Sequence, residues 1–141
     1  IGDAPGGSEL LAAWTGNEMI VWDGGLPSII DGNGSTAGTA TLRMYDPLTD
    51  SWRATANLCE PYLGAGEAHA HWTGSRLFVW GNNENGGYFY DPATDSWDAI
   101  DGFGGPGARS GAASAWTGDR FVLWGGQEPA GLQETGFVFT E

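Results

Sequence analysis

The sequence predicts an all-β protein built as a tandem repeat, and three observations support this prediction. All eight tryptophans lie on one repeating frame. Three of them open the tripeptide Trp-Thr-Gly, namely Trp14, Trp72 and Trp116. Three others follow eight residues later and close a short apolar run, namely Trp22, Trp80 and Trp124. The last two, Trp52 and Trp97, end two segments of the form Tyr-Asp-Pro-x-Thr-Asp-Ser-Trp.

Each repeat is expected to contain up to four strands in a fixed order. The run that ends at the second tryptophan, such as 77–80, is apolar on both faces, which is typical of a strand packed on both sides. A glycine followed by Asn, Ser or Asp precedes each such run and predicts a hairpin turn. The strands are predicted at about 9–14, 18–22, 39–45 and 51–55, then 67–72, 76–80, 87–90 and 96–100, then 110–116, 120–124 and 136–139.

The repeat length indicates blades of a β-propeller. Successive Trp-Thr-Gly tripeptides are 58 residues (14 to 72) and 44 residues (72 to 116) apart, and a four-stranded blade takes roughly 40–50 residues. We therefore expect one propeller segment over 1–141, with blades at about 8–56, 64–101 and 108–141, the last lacking its outer strand. The tryptophans that close the second strands are expected to be mostly buried.

Three blades are fewer than the roughly four to eight that close a ring. The sequence therefore predicts an incomplete ring within this chain, and an open fan would expose two broad apolar blade faces. We expect further propeller blades, from the same parent chain or from other chains, to cover them.

The repeat resembles the kelch repeat in its bacterial Trp-Thr-Gly form. The resemblance rests on the glycine pairs Gly24-Gly25 and Gly125-Gly126 and on the Tyr-x-Pro-x-Thr-x-x-Trp segments. The middle repeat departs from it with Gly81-Asn82, and the Arg-x-Gly-His of the first kelch strand survives only as Arg109-Ser110-Gly111 followed by Ala112. The resemblance implies blades made of four-stranded antiparallel meanders. It implies no single function, because such propellers serve as enzymes, scaffolds and receptors.

Composition narrows the range of partners. Five Lys and Arg residues, all of them Arg, against 18 Asp and Glu residues give a net charge of −13. Such acidity argues against binding to nucleic-acid phosphates or anionic membranes. No apolar stretch reaches the roughly 18 residues of a membrane span, so we expect no membrane insertion. The acidity fits a solubilising surface, with the binding of cations or cationic partners as the alternative. We expect an extracellular or periplasmic, secreted protein.

The connections between second and third strands vary most in length and predict a recognition face. The second-strand tryptophan and the third-strand aromatic are 23, 10 and 15 residues apart in the three repeats. The candidate binding residues on this loop face are Asp23, Asp31, Asn33, Asn83, Glu84 and Glu128. The alternative is that they are ordinary solvated loop residues. The segment 31–35 alternates oxygen side chains like a calcium loop, but Leu42 stands where the bidentate Glu belongs, which favours a glycine-rich turn.

One cluster departs from the repeat: Glu67, His69 and His71 alternate along the first strand of blade two. Period-two spacing places the three side chains on one face. Two imidazoles and a carboxylate could bind a divalent metal or act as a general acid and base. They could equally be polar filling in the interface between blades. We expect no catalytic residue elsewhere, no cofactor and no bound metal.

Three functional hypotheses follow. The first is a kelch-like module that binds a protein or carbohydrate ligand, or acts as a scaffold, within a larger chain or assembly. The second is a carbohydrate-active or metal-dependent enzyme with its site on the loop face. The third is a structural surface subunit that completes a ring or polymer with neighbouring chains. The sequence favours the first, non-enzymatic hypothesis.

Overall fold

A computed structural model describes residues 4–5, 10–22, 42–55, 68–81, 86–100, 104–107 and 109–141. These residues form an all-β structure in which no helix occurs, as the sequence predicts. Within this part of the chain, no helix therefore has the length and apolarity needed to cross a membrane.

Three antiparallel meanders carry the fold, and we refer to them as blades one, two and three. Blade one consists of β1 (Leu11–Trp14), β2 (Met19–Trp22), β3 (Leu42–Asp46) and β4 (Ser51–Ala54). Blade two consists of β5 (His69–Trp72), β6 (Leu77–Trp80), β7 (Gly87–Asp91) and β8 (Ser96–Ala99). Blade three consists of β9 (Ala113–Trp116), β10 (Arg120–Trp124) and, after a short hairpin, β13 (Gly136–Thr140). The strands of each blade pair in chain order, and the three sheets form an open fan.

The hairpin in blade three is the one pair of strands among the described residues that the sequence did not predict. It comprises β11 (Gln127–Glu128) and β12 (Gly131–Leu132), in the connection expected to be loop. Gln127 and Ser110 exchange two backbone hydrogen bonds of 2.8 and 3.0 Å, which fix the hairpin to the blade. Gly126 permits this close approach: it has φ of 88°, and a Cβ there would lie 2.9 Å from the Cβ atoms of Ala112 and Arg109.

The repeated sequence motifs form turns. In the first Trp-Thr-Gly tripeptide, the Thr15 amide donates to the Glu18 carbonyl over 3.0 Å, and the following glycine has φ of 109°. In the Asp-Pro segment of blade one, the Asp46 carboxylate accepts from the Leu48 amide at 2.8 Å, and the Tyr45 hydroxyl donates to Asp50 at 2.8 Å. These are the local hydrogen bonds by which Asp residues stabilise turns, so the motifs recur for structural reasons.

The core lies between blades, and each blade has two different faces. We call the face that packs on the following blade the forward face and the opposite one the backward face. The first cluster joins the forward face of blade one to the backward face of blade two: Ile20, Trp22, Leu42 and Met44 against Leu77, Val79 and Tyr90. The second joins blade two to blade three in the same sense: Phe78, Trp80 and Phe89 against Phe121 and Leu123. Between neighbouring blades, the first strands lie closest to each other: β5 contacts both β1 and β9.

The prediction that all three second-strand tryptophans are buried is wrong for Trp124. Trp22 and Trp80 are 0% exposed, whereas Trp124 is 62% exposed. The reason is its position on the forward face of blade three, which no blade covers in the described structure. Burial accordingly alternates along β10, where Phe121 and Leu123, on the backward face, are 0% exposed.

Candidate functional site

Two histidines of blade two meet a serine of blade three. His69 and His71 lie at alternate positions of β5, so both side chains lie on the forward face. The Ser114 Oγ lies 2.7 Å from His69 Nδ1 and 2.8 Å from His71 Nε2. The third member of the predicted cluster, Glu67, lies outside the described residues. The structure thus brings both histidines together around a hydroxyl group that the sequence analysis did not include.

Aromatic rings form the walls of this polar site. The His69 ring stacks on the Trp80 indole with centroids 5.4 Å apart, because the two residues are cross-strand neighbours. The ring centroids of His71 and Phe121 are 5.7 Å apart, across the joint between blades two and three. We call His69, His71 and Ser114 the joint cluster. It lies within an otherwise apolar interblade contact.

Ser114 could not be found from the repeat alignment. The positions of blade three that match the histidines are Ala113 and Ala115, but these belong to its forward face. Blade two's forward face contacts blade three's backward face, where the residues of opposite parity lie. The one available signal was compositional, because Ser114 is the polar residue in the run Ala112-Ala113-Ser114-Ala115.

The surroundings of the joint cluster favour a neutral imidazole at His71. A hydroxyl group has one proton to donate, so Ser114 donates to one imidazole and accepts from an N–H of the other. Burial lowers the pKa of His71 below its ordinary value of 6.5, and the neighbouring His69 lowers it further. His71 is therefore neutral at pH 7. Neutral imidazoles can accept a proton or ligate a metal, but here both ring nitrogens that face the joint are engaged by the hydroxyl.

The loop face of blade three holds one residue named as a binding candidate. Glu128 accepts a 2.8 Å hydrogen bond from Arg109 Nε, and Arg109 is only 7% exposed. The same guanidinium donates to the carbonyl and the hydroxyl of Thr135, at 2.9 and 3.2 Å. Glu128 therefore anchors the β11–β12 hairpin through an ion pair. The other candidates, Asp23, Asp31, Asn33, Asn83 and Glu84, lie outside the described residues.

A solvent-open depression lies beside the anchored hairpin and has a volume of about 520 Å³. Its lining combines polar and apolar surface and includes one large apolar side chain: Ser110, Gly111, Gly126, Gln127, Leu132, Gln133 and Glu134. Leu132 is 82% exposed at the edge of this depression. The hairpin and the two residues that follow it thus present an apolar side chain, amide groups and a carboxylate, next to a base fixed by Arg109.

Comparison with known proteins identified no relative of this chain among protein-family models or curated proteins. The pairing of the strands shows an open set of propeller-like blades.

Proposed function

We propose that the chain is a kelch-like propeller segment that serves as a binding module or scaffold and takes a protein or carbohydrate ligand on its loop face. The observation that carries the proposal is the Arg109-anchored hairpin with its open depression. A buried guanidinium with several acceptors holds a short surface element in one position. A preorganised surface loses less conformational entropy when a ligand binds than a mobile one does.

The exposed groups on the hairpin suit recognition better than catalysis. Leu132 offers apolar contact, and Gln133 and Glu134 offer hydrogen-bonding groups around the depression. Further blades, from the same parent chain or from other chains, would extend this face around a ring. An extracellular or periplasmic location fits such a role and stays part of the proposal.

Two defined probes test this function: a printed glycan array and a displayed random-peptide library. We expect the labelled chain to select a consistent set of glycans or peptides. The exchange Leu132→Asp should weaken that binding at least tenfold, because it places a charge in the apolar contact. Leu48→Asp is the matched control, since Leu48 is 92% exposed in the turn between β3 and β4. Absence of selective binding to both probes, or equal binding by both variants, would refute the proposal.

An enzymatic function is the second candidate, and the joint cluster is the observation that favours it. A serine within hydrogen-bonding distance of two imidazoles is the arrangement by which a base activates a hydroxyl nucleophile. A fluorophosphonate probe reacts with activated serines and tests this directly. Labelling that disappears in Ser114→Ala would support a hydrolytic function, and absence of labelling in the parent chain would exclude a serine nucleophile.

A further inference from the structure

The two blade joints follow one rule. The forward-face tryptophan of a blade is covered by the backward face of the next blade. The ring centroids of Trp22 and Trp97 of blade two are 5.7 Å apart, and those of Trp80 and Phe121 of blade three are 6.2 Å apart. Both tryptophans are 0% exposed. The molecule itself therefore shows what kind of surface covers a forward face.

Blade three exposes its own forward face. This face consists of residues at the same repeat positions as the two covered faces: Ala113, Ala115, Val122, Trp124 and Val138. Trp124 is 62% exposed and Val138 is 54% exposed, whereas their backward-face neighbours in β10 are buried. Two adjacent strands thus present an apolar surface of a kind that marks interaction sites.

Blade one carries the complementary surface on its backward face. Trp14, Tyr45 and Trp52 occupy the repeat positions at which Trp72, Tyr90 and Trp97 of blade two face blade one. The Tyr45 and Trp52 rings are 5.0 Å apart, and their counterparts in blade two are 5.1 Å apart. Trp14 is 54% exposed, whereas Val21 on the same face is 5% exposed, and Tyr45 and Trp52 are partly exposed. The two outer blades of one chain therefore carry the residue types of both halves of a third contact.

The charges at the rim of the joints agree with this pairing. In blade two, Arg76 lies with its guanidinium 4.1 Å above the Phe89 ring and forms an ion pair with Glu141, which directly follows β13 of blade three. Arg120 occupies the same repeat position in blade three, where its side chain is 57% exposed and lies 3.5 Å from Asp119. In blade one, Pro47 occupies the repeat position of Glu141, and the turn that follows β3 contains the acidic residue Asp50.

We propose that two copies of the chain associate head to tail, with the forward face of blade three on the backward face of blade one of the second copy, and reciprocally. Two copies of three blades give a closed ring of six, within the roughly four to eight blades of known propellers. Closed two-fold assemblies are the commonest homo-oligomers. The inference rests on the propeller arrangement in the proposed function, but it concerns the ends of the fan and not the loop face.

Sedimentation equilibrium of the chain over a range of concentrations tests the proposal. We expect a species of twice the chain mass. Trp124→Glu should raise the dimer dissociation constant by about 30-fold or more, the effect of removing a central aromatic contact. Arg120→Asp should raise it less, since its side chain lies at the rim. Leu132→Glu, on the loop face, is the control and should leave the dimer unchanged. Far-UV circular dichroism verifies that each variant is folded.

A mixing experiment distinguishes this contact from other modes of association. Trp124→Glu keeps an intact blade-one face, and Trp14→Glu keeps an intact blade-three face. Each variant alone should be monomeric, and an equimolar mixture should form a heterodimer through one intact contact. The proposal would be overturned if the parent chain stayed monomeric at all soluble concentrations or formed open polymers. It would also be overturned if the Trp124→Glu variant had the same dimer dissociation constant as the parent chain. None of these results would affect ligand binding at the hairpin, so the two proposals fail separately.

Discussion

Trp80 and Trp124 occupy the same position of the repeat in opposite environments, and their exchange for alanine makes a matched pair of variants. Trp80 is 0% exposed. Its ring stacks on that of His69 with centroids 5.4 Å apart, and its centroid lies 6.2 Å from that of Phe121. Its truncation removes the indole from a closed joint and leaves a cavity there. Such changes cost about 3–5 kcal/mol in the free energy of unfolding.

The equivalent loss for Trp124→Ala should be much smaller. With 62% of this residue exposed, only a little over a third of its surface is covered, and solvent can fill the space that truncation leaves. We expect a loss of about 1 kcal/mol. The difference between the two variants should thus exceed about 2 kcal/mol, a large part of the 5–15 kcal/mol stability of a typical domain.

Urea denaturation followed by far-UV circular dichroism measures both values. The samples should be at a concentration at which sedimentation shows the parent and both variants as monomers, so that any association through Trp124 does not contribute. Equal losses for the two variants would refute the assignment of forward and backward faces. A loss below about 1 kcal/mol for Trp80→Ala would show that the joint between blades two and three does not contribute as a packed core.

Three further predictions concern the joint cluster and the hairpin. Because the folded-state pKa of His71 lies below its ordinary value of 6.5, the unfolded chain binds protons more readily. The contribution of His71 to the free energy of unfolding should therefore be constant above about pH 6.5 and fall below it, and His71→Asn should remove this part of the pH dependence in urea titrations across pH. We expect no stoichiometric zinc or copper by mass spectrometric metal analysis, since Ser114 engages both imidazoles; metal that disappears in His69→Ala would contradict this. Arg109→Met should leave the blades folded but speed hydrogen exchange at the hairpin amides, and unchanged exchange would show that the ion pair with Glu128 is dispensable.

The sequence predicted the strands well because the signals that define them are local. The Trp-Thr-Gly turns and the Asp-Pro turns fix the ends of hairpins within a few residues, and apolar runs such as that ending at Trp80 fill the space between them. The short β11–β12 hairpin escaped prediction because strands of two residues carry no alternation to detect. Its position depends on the packing of Gly126 against Arg109, which is not local in the sequence.

The wrong prediction for Trp124 and the omission of Ser114 share a cause. Both depend on which face of one blade meets which face of the next, and residues at the same repeat position need not have the same neighbour. The repeat indicates that Trp22, Trp80 and Trp124 are equivalent, yet the exposure of each is set by whether another blade covers it. The contact between His71 and Ser114 likewise joins positions of opposite parity 43 residues apart, which self-comparison of the repeats cannot reveal.

The joint cluster also determines the order in which blades can be stacked. The forward face of blade one is apolar at the positions where blade two carries His69 and His71, so the two forward faces are not interchangeable. If blade two met a neighbour without a serine at the position of Ser114, two partly buried imidazoles would lose their hydroxyl partner. A buried polar group left without its partner costs about 1–3 kcal/mol. The polar joint therefore disfavours a neighbouring blade that lacks this serine, and the eight tryptophans, which share one repeating frame, could not make that distinction.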